Sequence, residues 1–173
     1  MKLNKFSFLL SAVLGLFFAV SGFAQTAKFS DANVEYAFDL PNATWKILSK
    51  PSATSPNVEY VYGDRSSGYL EVRKLTVKSD DLMSEIIVNE EASLKFMQGY
   101  VAGKEENFAG NLKGTVFNFE FIRSGRNMSG RFYFLKANPT TVYVLRFTAQ
   151  KEKLITIRNQ TDSIARSFEL KKQ

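Results

Sequence analysis

The sequence predicts an α+β domain, an antiparallel β-sheet flanked by helices. Three observations lead there. Apolar and polar residues alternate over short runs separated by Gly, Pro, Asn and Asp, as half-buried strands require. Residues 82–101 carry no Pro, and no Gly before Gly99. The final stretch changes period: Leu154, Ile157, Thr161, Ile164 and Phe168 are spaced 3, 4, 3 and 4, the stripe of an amphipathic helix. Strands and helices grouped along the chain favour α+β over alternating βαβ units.

Residues 1–24 read as an export signal. Lys2 and Lys5 supply a positive start, and residues 6–20 are almost unbroken apolar. Residues 21–24 (SGFA) place small side chains at a cleavage site between Ala24 and Gln25. A membrane anchor needs about 20 mainly apolar residues, and Ser7, Ser11, Gly15, Ser21 and Gly22 dilute this one. The expected destination is the periplasm or the exterior. The chain has no cysteine, so it carries no lipid anchor on a thiol and no disulfide. No later stretch is long and apolar enough to span a bilayer.

Residues 25–33 are small and polar and read as a flexible leader, with one domain over 34–173. Residues 34–40 (VEYAFDL) alternate up to Pro41 and form a first strand. Residues 45–48 (WKIL) and 58–62 (VEYVY) follow, separated by a loop containing Pro51 and Pro56. Residues 63–68 are a hairpin turn with Gly at both ends, and 69–78 return as a long strand. Ser79, Asp80 and Asp81 offer caps for a helix over 82–101, or for two with a break near Asn89. Residues 115–123 (TVFNFEFIR) put Phe117, Phe119 and Phe121 on one face and Asn118 and Glu120 on the other. Turns at 124–127 and 138–140 join 128–137 and 141–148 into a meander. The closing helix lays one stripe on the sheet and turns Lys153, Asn159, Asp162, Ser163 and Arg166 outward. The residues alone place the helices on one side of the sheet.

Composition limits chemistry. There is no histidine, which removes Ser-His and Cys-His nucleophile pairs and imidazole zinc sites. Removing residues 1–24 takes the net charge from +6 to +4 over 149 residues. That supports loose attraction to anionic surfaces. The scattered basic residues do not indicate nucleic acid. Of 16 Phe, 11 lie beyond residue 24, and most fall at alternating strand positions, so they read as a core under a sheet.

Three stretches carry a family resemblance. They are residues 36–47 (YAFDLPNATWKI), 142–154 (VYVLRFTAQKEKL) and 157–170 (IRNQTDSIARSFEL), the last containing Ser167 and Phe168. With their order and spacing, the chain resembles the Mog1/PsbP-like superfamily, above all its small exported bacterial members. The resemblance implies a central antiparallel sheet flanked by helices, an α/β/α-type sandwich. It also implies an accessory role through partner binding, and it transfers no catalytic residues.

Candidate sites are few. Arg123, Arg126 and Arg131 surround one hairpin turn, with Lys136 further along, and could form an anion or partner patch. The plainer alternative is solvated charge that guards strand edges. Glu59, Glu71 and Glu120 could act as paired carboxylates only if they converged. Asp80, Asp81 and Glu85 lack the alternating oxygens and Gly of a calcium loop. The expected function is therefore an exported, non-enzymatic accessory protein of the cell envelope, without cofactor or metal, binding a protein or envelope component. One alternative is a carrier with an apolar pocket between helix and Phe117, Phe119 and Phe121. The other is a hydrolase that uses carboxylates only.

Overall fold

The computed structural model describes residues 27–172. The signal segment and its Ala24–Gln25 junction lie outside the described residues. Ten strands and two helices follow in order. They are β1 (Ala27–Ser30), β2 (Tyr36–Leu40), β3 (Trp45–Ser49), β4 (Val58–Tyr62), β5 (Asp64–Thr76), α1 (Met83–Ala92), β6 (Val101–Ala109), β7 (Lys113–Arg123), β8 (Arg126–Asn138), β9 (Thr141–Gln150), α2 (Lys151–Ser167) and β10 (Glu169–Leu170). Seven strands form one sheet in the order β3-β4-β5-β9-β8-β7-β6, and β1-β2-β10 form a smaller one. Every pairing is antiparallel.

The large sheet is buried on both faces at its centre, which is why β8 reads as a continuous run from Arg131 to Leu135. An antiparallel sheet more often leaves one face in water. Tyr133, Leu135, Tyr143, Leu145 and Phe147 lie in the layer closed by α2 and the small sheet. Phe117, Phe119, Phe121, Phe132, Phe134 and Val144 lie on the opposite face, under Ile86, Ile87 and Leu94. The helices thus sit on opposite faces. This is the sandwich implied by the family resemblance, and it corrects the one-sided layering read from the residues. The space required by an apolar carrier pocket over Phe117, Phe119 and Phe121 is taken by these aliphatic side chains.

Close packing explains Gly130. Phe119 stacks edge-on to Phe132 at 4.8 Å, and a Cβ on Gly130 would lie 2.0 Å from its ring. The neighbouring strand therefore has to lack a side chain there.

Four expectations are corrected. Residues 27–30, read as part of a flexible leader, form β1, because Phe29 stacks on Phe38 at 4.8 Å and is buried. Strand β5 starts at Asp64, so the broad turn over 63–68 is a tight one. Asp64 Oδ1 accepts the amides of Ser66 (2.7 Å) and Ser67 (2.8 Å). Helix α1 stops at Ala92 because Leu94 turns in to the sheet, where it is 1% exposed. Residues 101–109 form β6, a strand with no alternation to betray it: eight of its nine residues are exposed.

The small sheet is tied to the large one by Glu35. Its Oε1 accepts from Tyr143 Oη at 2.6 Å and from Lys74 Nζ. Partial burial raises its pKa, but the Lys74 and Tyr143 hydrogen bonds outweigh this and bring it down to about 2. A lowered carboxylate pKa contributes stability above the ordinary value of 4.5, and that stability is lost as pH falls towards 2. Glu35→Gln is expected to flatten the acid limb of a stability profile across that window, read by denaturant titration. Gly130→Ala is expected to cost about 3 kcal/mol through overpacking against Phe119, read as a lowered denaturant midpoint.

Candidate functional site

Helix α2 packs across β5, β9 and β8, leaving the start of β6 and the end of β7 uncovered on that face, whereas Phe108 and Val116 further along them are buried. A groove of about 340 Å³ results between the N-terminal turns of α2 and the β6 edge. Val101 on β6 and Leu154 and Ile155 on α2 make its apolar walls. Val101 is 59% exposed and Ile155 67%. Alternation along β7 and β8 points Asn118, Ser129 and Arg131 into the floor. Strand β6 is bulged between Ala102 and Glu105. There Gly103 lies so close to β7 that a Cβ would be 2.6 Å from the Asn118 carbonyl oxygen.

The floor is held by a buried polar network. Arg131 is 6% exposed. Its guanidinium donates to Tyr133 Oη (2.7 Å), Asn118 Oδ1 (2.7 Å) and Asp162 Oδ1 (2.9 Å). Tyr133 Oη donates to Asp162 Oδ1 and lies 2.9 Å from Thr161 Oγ1. Burial, followed by the Asp162 hydrogen bond, pushes the Tyr133 pKa well above its ordinary value. The phenol stays protonated, and the cation, carboxylate and hydroxyl all have partners. Such a network orients the surface above it. At the groove's ends, Lys151 donates to Glu120 at 2.8 Å, and Arg158 lies 4.0 Å from Glu106.

The four basic residues read as one patch are separated. Arg131 is in the floor of this groove. Arg123 and Arg126 are cross-strand partners at the β7–β8 turn. Lys136 is exposed towards the other end of β8, ten residues or about 33 Å of strand from Arg126. Among the carboxylates, Glu59 and Glu71 do stand opposite each other on β4 and β5. Each has an arginine within ion-pair distance, Arg65 at 3.2 Å from Glu59 and Arg73 at 3.7 Å from Glu71, although the hydrogen bond of Arg73 goes to Glu90. Glu120 is on the opposite face of the sheet, paired to Lys151. Asp81 accepts the Lys78 amide and Glu85 the Leu82 amide, so both carboxylates serve the turn and helix start. Among the described residues no three acidic side chains gather as a metal site.

The sequence reading missed Asp162 as a partner and turned it outward. The available signal was Thr161, on the apolar stripe of α2: a polar residue inside a core stripe needs a polar contact. That contact is Tyr133, and Asp162 follows it in.

No protein-family model and no curated protein matches the chain. Solved structures do. The cyanobacterial PsbP, CyanoP, from Synechocystis sp. is 13% identical with a TM-score of 0.58, covering 87% of this chain and 95% of that one. LpqN of Mycobacterium tuberculosis, involved in cell envelope biogenesis, is 15% identical with a TM-score of 0.55, covering 86% and 91%. A Pseudomonas aeruginosa protein of unknown function is 14% identical with a TM-score of 0.53, covering 86% and 99%. At these identities the likeness is one of fold, and the fold is PsbP-like.

Asp162→Ala leaves the Arg131 guanidinium buried without its counter-charge and is expected to cost about 3 kcal/mol. Adding Arg131→Met to the same chain should recover part of that loss. A double-mutant cycle by denaturant unfolding measures both.

Proposed function

We propose that the protein is an exported, non-enzymatic accessory protein of the cell envelope that binds a partner protein at the groove between α2 and the β6 edge. The observation that carries this reading is the pairing of exposed apolar walls, Val101 and Ile155, with an unpartnered strand edge. Isolated exposed apolar residues are ordinary, but apolar walls around a recess mark a contact surface. An edge strand adds backbone donors and acceptors that an extended segment can pair with, while pockets beside it select side chains. The partner is an extended protein segment that carries a bulky apolar residue for the space between Val101 and Ile155.

Compartment and role draw on two further supports. Residues 1–24 have the three-part pattern of a secretory signal. LpqN, which has the same fold, is involved in cell envelope biogenesis. The Arg131–Tyr133–Asp162 network fits binding better than turnover, because its groups are mutually satisfied and held in place.

Photo-crosslinking tests the reading. A benzophenone side chain at position 101 or 155 is expected to give a discrete adduct in envelope fractions. The same group at Leu48, on the opposite edge strand β3, is expected to give none. Equal labelling at all three positions, or none, would overturn the assignment of the groove.

A further inference from the structure

A second recess, of about 210 Å³, opens where the β4–β5 turn meets the β7–β8 hairpin, on the opposite face of the large sheet from the groove. Arg65, Ser66, Arg123, Ser124, Arg126 and Met128 line it. Its polar lining is three guanidiniums and two hydroxyls; the Ser66 hydroxyl already donates to the neighbouring Asp64 carboxylate at 2.6 Å, which leaves the Ser124 hydroxyl and the guanidiniums to face the recess. Arg123 and Arg126 belong to the basic patch expected from sequence; Arg65 and Ser66 come from a turn about 60 residues earlier in the chain.

The backbone forces the cations together. Ser124 has φ 50° and Gly125 φ 71°, the two positive values of a type I′ hairpin turn. Serine enters this region less readily than Asn or Gly. The turn sets Arg123 directly opposite Arg126 in the ladder, and like charges in that relation are unfavourable. Among the described residues, neither has a carboxylate within ion-pair distance, although Glu152 lines the neighbouring recess with Arg126. Arg65 contacts Glu59 through Nη2 only, at 3.2 Å, and 63% of its side chain is exposed. Aromatic rings steady two of the heads: Arg65 lies 4.7 Å over Tyr69 and Arg123 5.6 Å over Phe121. Arg146 on the same sheet face is held below its ordinary pKa, by burial first and then by Arg73 and Arg123, against the pull of Glu71. The recess therefore lies in a positive field with unused guanidinium donors.

We propose that this recess binds a phosphate monoester group. A planar carboxylate has two oxygens, which one arginine fork satisfies. Three forks and the Ser124 hydroxyl around one recess suit an anion with three terminal oxygens. A phosphate monoester also carries about −1.5 to −2 charges at pH 7, against one for a diester, and so offsets several guanidiniums at once. The like-charge pair at the hairpin is then a site held ready for its counter-ion.

The test is a titration of the full mature chain with inorganic phosphate at low ionic strength, followed by amide NMR. Shifts are expected at residues 65–66 and 123–126. Arg123→Gln and Arg126→Gln should each weaken binding about tenfold, while Lys136→Gln, at the other end of β8, leaves it unchanged. In phosphate-free buffer Arg126→Gln should melt at or above the wild-type Tm, because a repulsion is gone, and it should lose the phosphate-dependent rise in Tm. Sedimentation with phosphatidylcholine vesicles containing phosphatidic acid distinguishes the source. Co-sedimentation released by inorganic phosphate assigns the monoester to a lipid headgroup, and phosphate binding without co-sedimentation assigns it to a soluble ligand. Phosphate shifts as large at Lys136 as at Arg123, or equal affinities for the three variants, would overturn the proposal.

Discussion

Phe168 is the side chain on which the layers meet. It ends α2 in an extended conformation and is fully buried. Its ring lies 5.1 Å from Tyr36 and 6.2 Å from Phe38 of the small sheet, and 5.0 Å from Tyr143 of the large one. Helix, small sheet and large sheet therefore share one aromatic contact. Next to it, Ser167 Oγ accepts the Asp39 amide at 2.9 Å, and β10 pairs with β2 immediately afterwards. The end of α2 fixes where the helix can cross the large sheet. That crossing leaves the start of β6 and the end of β7 uncovered, so the groove follows from this anchor.

Arginine has two opposite uses in one hairpin. Arg131, five residues along β8 from Arg126, is taken out of water and surrounded by Tyr133, Asn118 and Asp162. Arg126 and Arg123 are left in water and pushed together by their turn. Burial of a guanidinium is tolerable only with such partners, and the buried one accordingly has three. The exposed pair needs none to survive in solvent, but it keeps its donors. Equal spacing along a strand does not make equal environments, because alternate residues face different layers.

Legibility in sequence followed local physics. Strands β3, β4, β7, β8 and β9 were readable because apolar alternation or continuous apolar runs record burial directly. The stripe of α2, from Leu154 to Phe168, was equally direct. Strand β6 was not readable, since all its side chains but Phe108 face water and it is held chiefly by backbone pairing to β7. Strand β1 was hidden because one residue, Phe29, does the burying. The groove depends on which strand α2 fails to cover, a tertiary fact with no local trace. The arginine recess was half legible: Arg123 and Arg126 flank a visible turn, whereas Arg65 reaches it only through the sheet order β5-β9-β8-β7.

The small sheet joins the two ends of the described chain. Lys28 and Glu169 touch at 2.6 Å, and the pairing of β5 with β9 joins residues as distant as Tyr69 and Thr148. A polypeptide that emerges N-terminus first, from a ribosome or a narrow channel, cannot close this core from its early segments alone. β2 waits for β10, and the aromatic layer waits for Phe168. Such non-local closure is slow, and until Phe168 and β10 arrive the small sheet and the aromatic layer stay open.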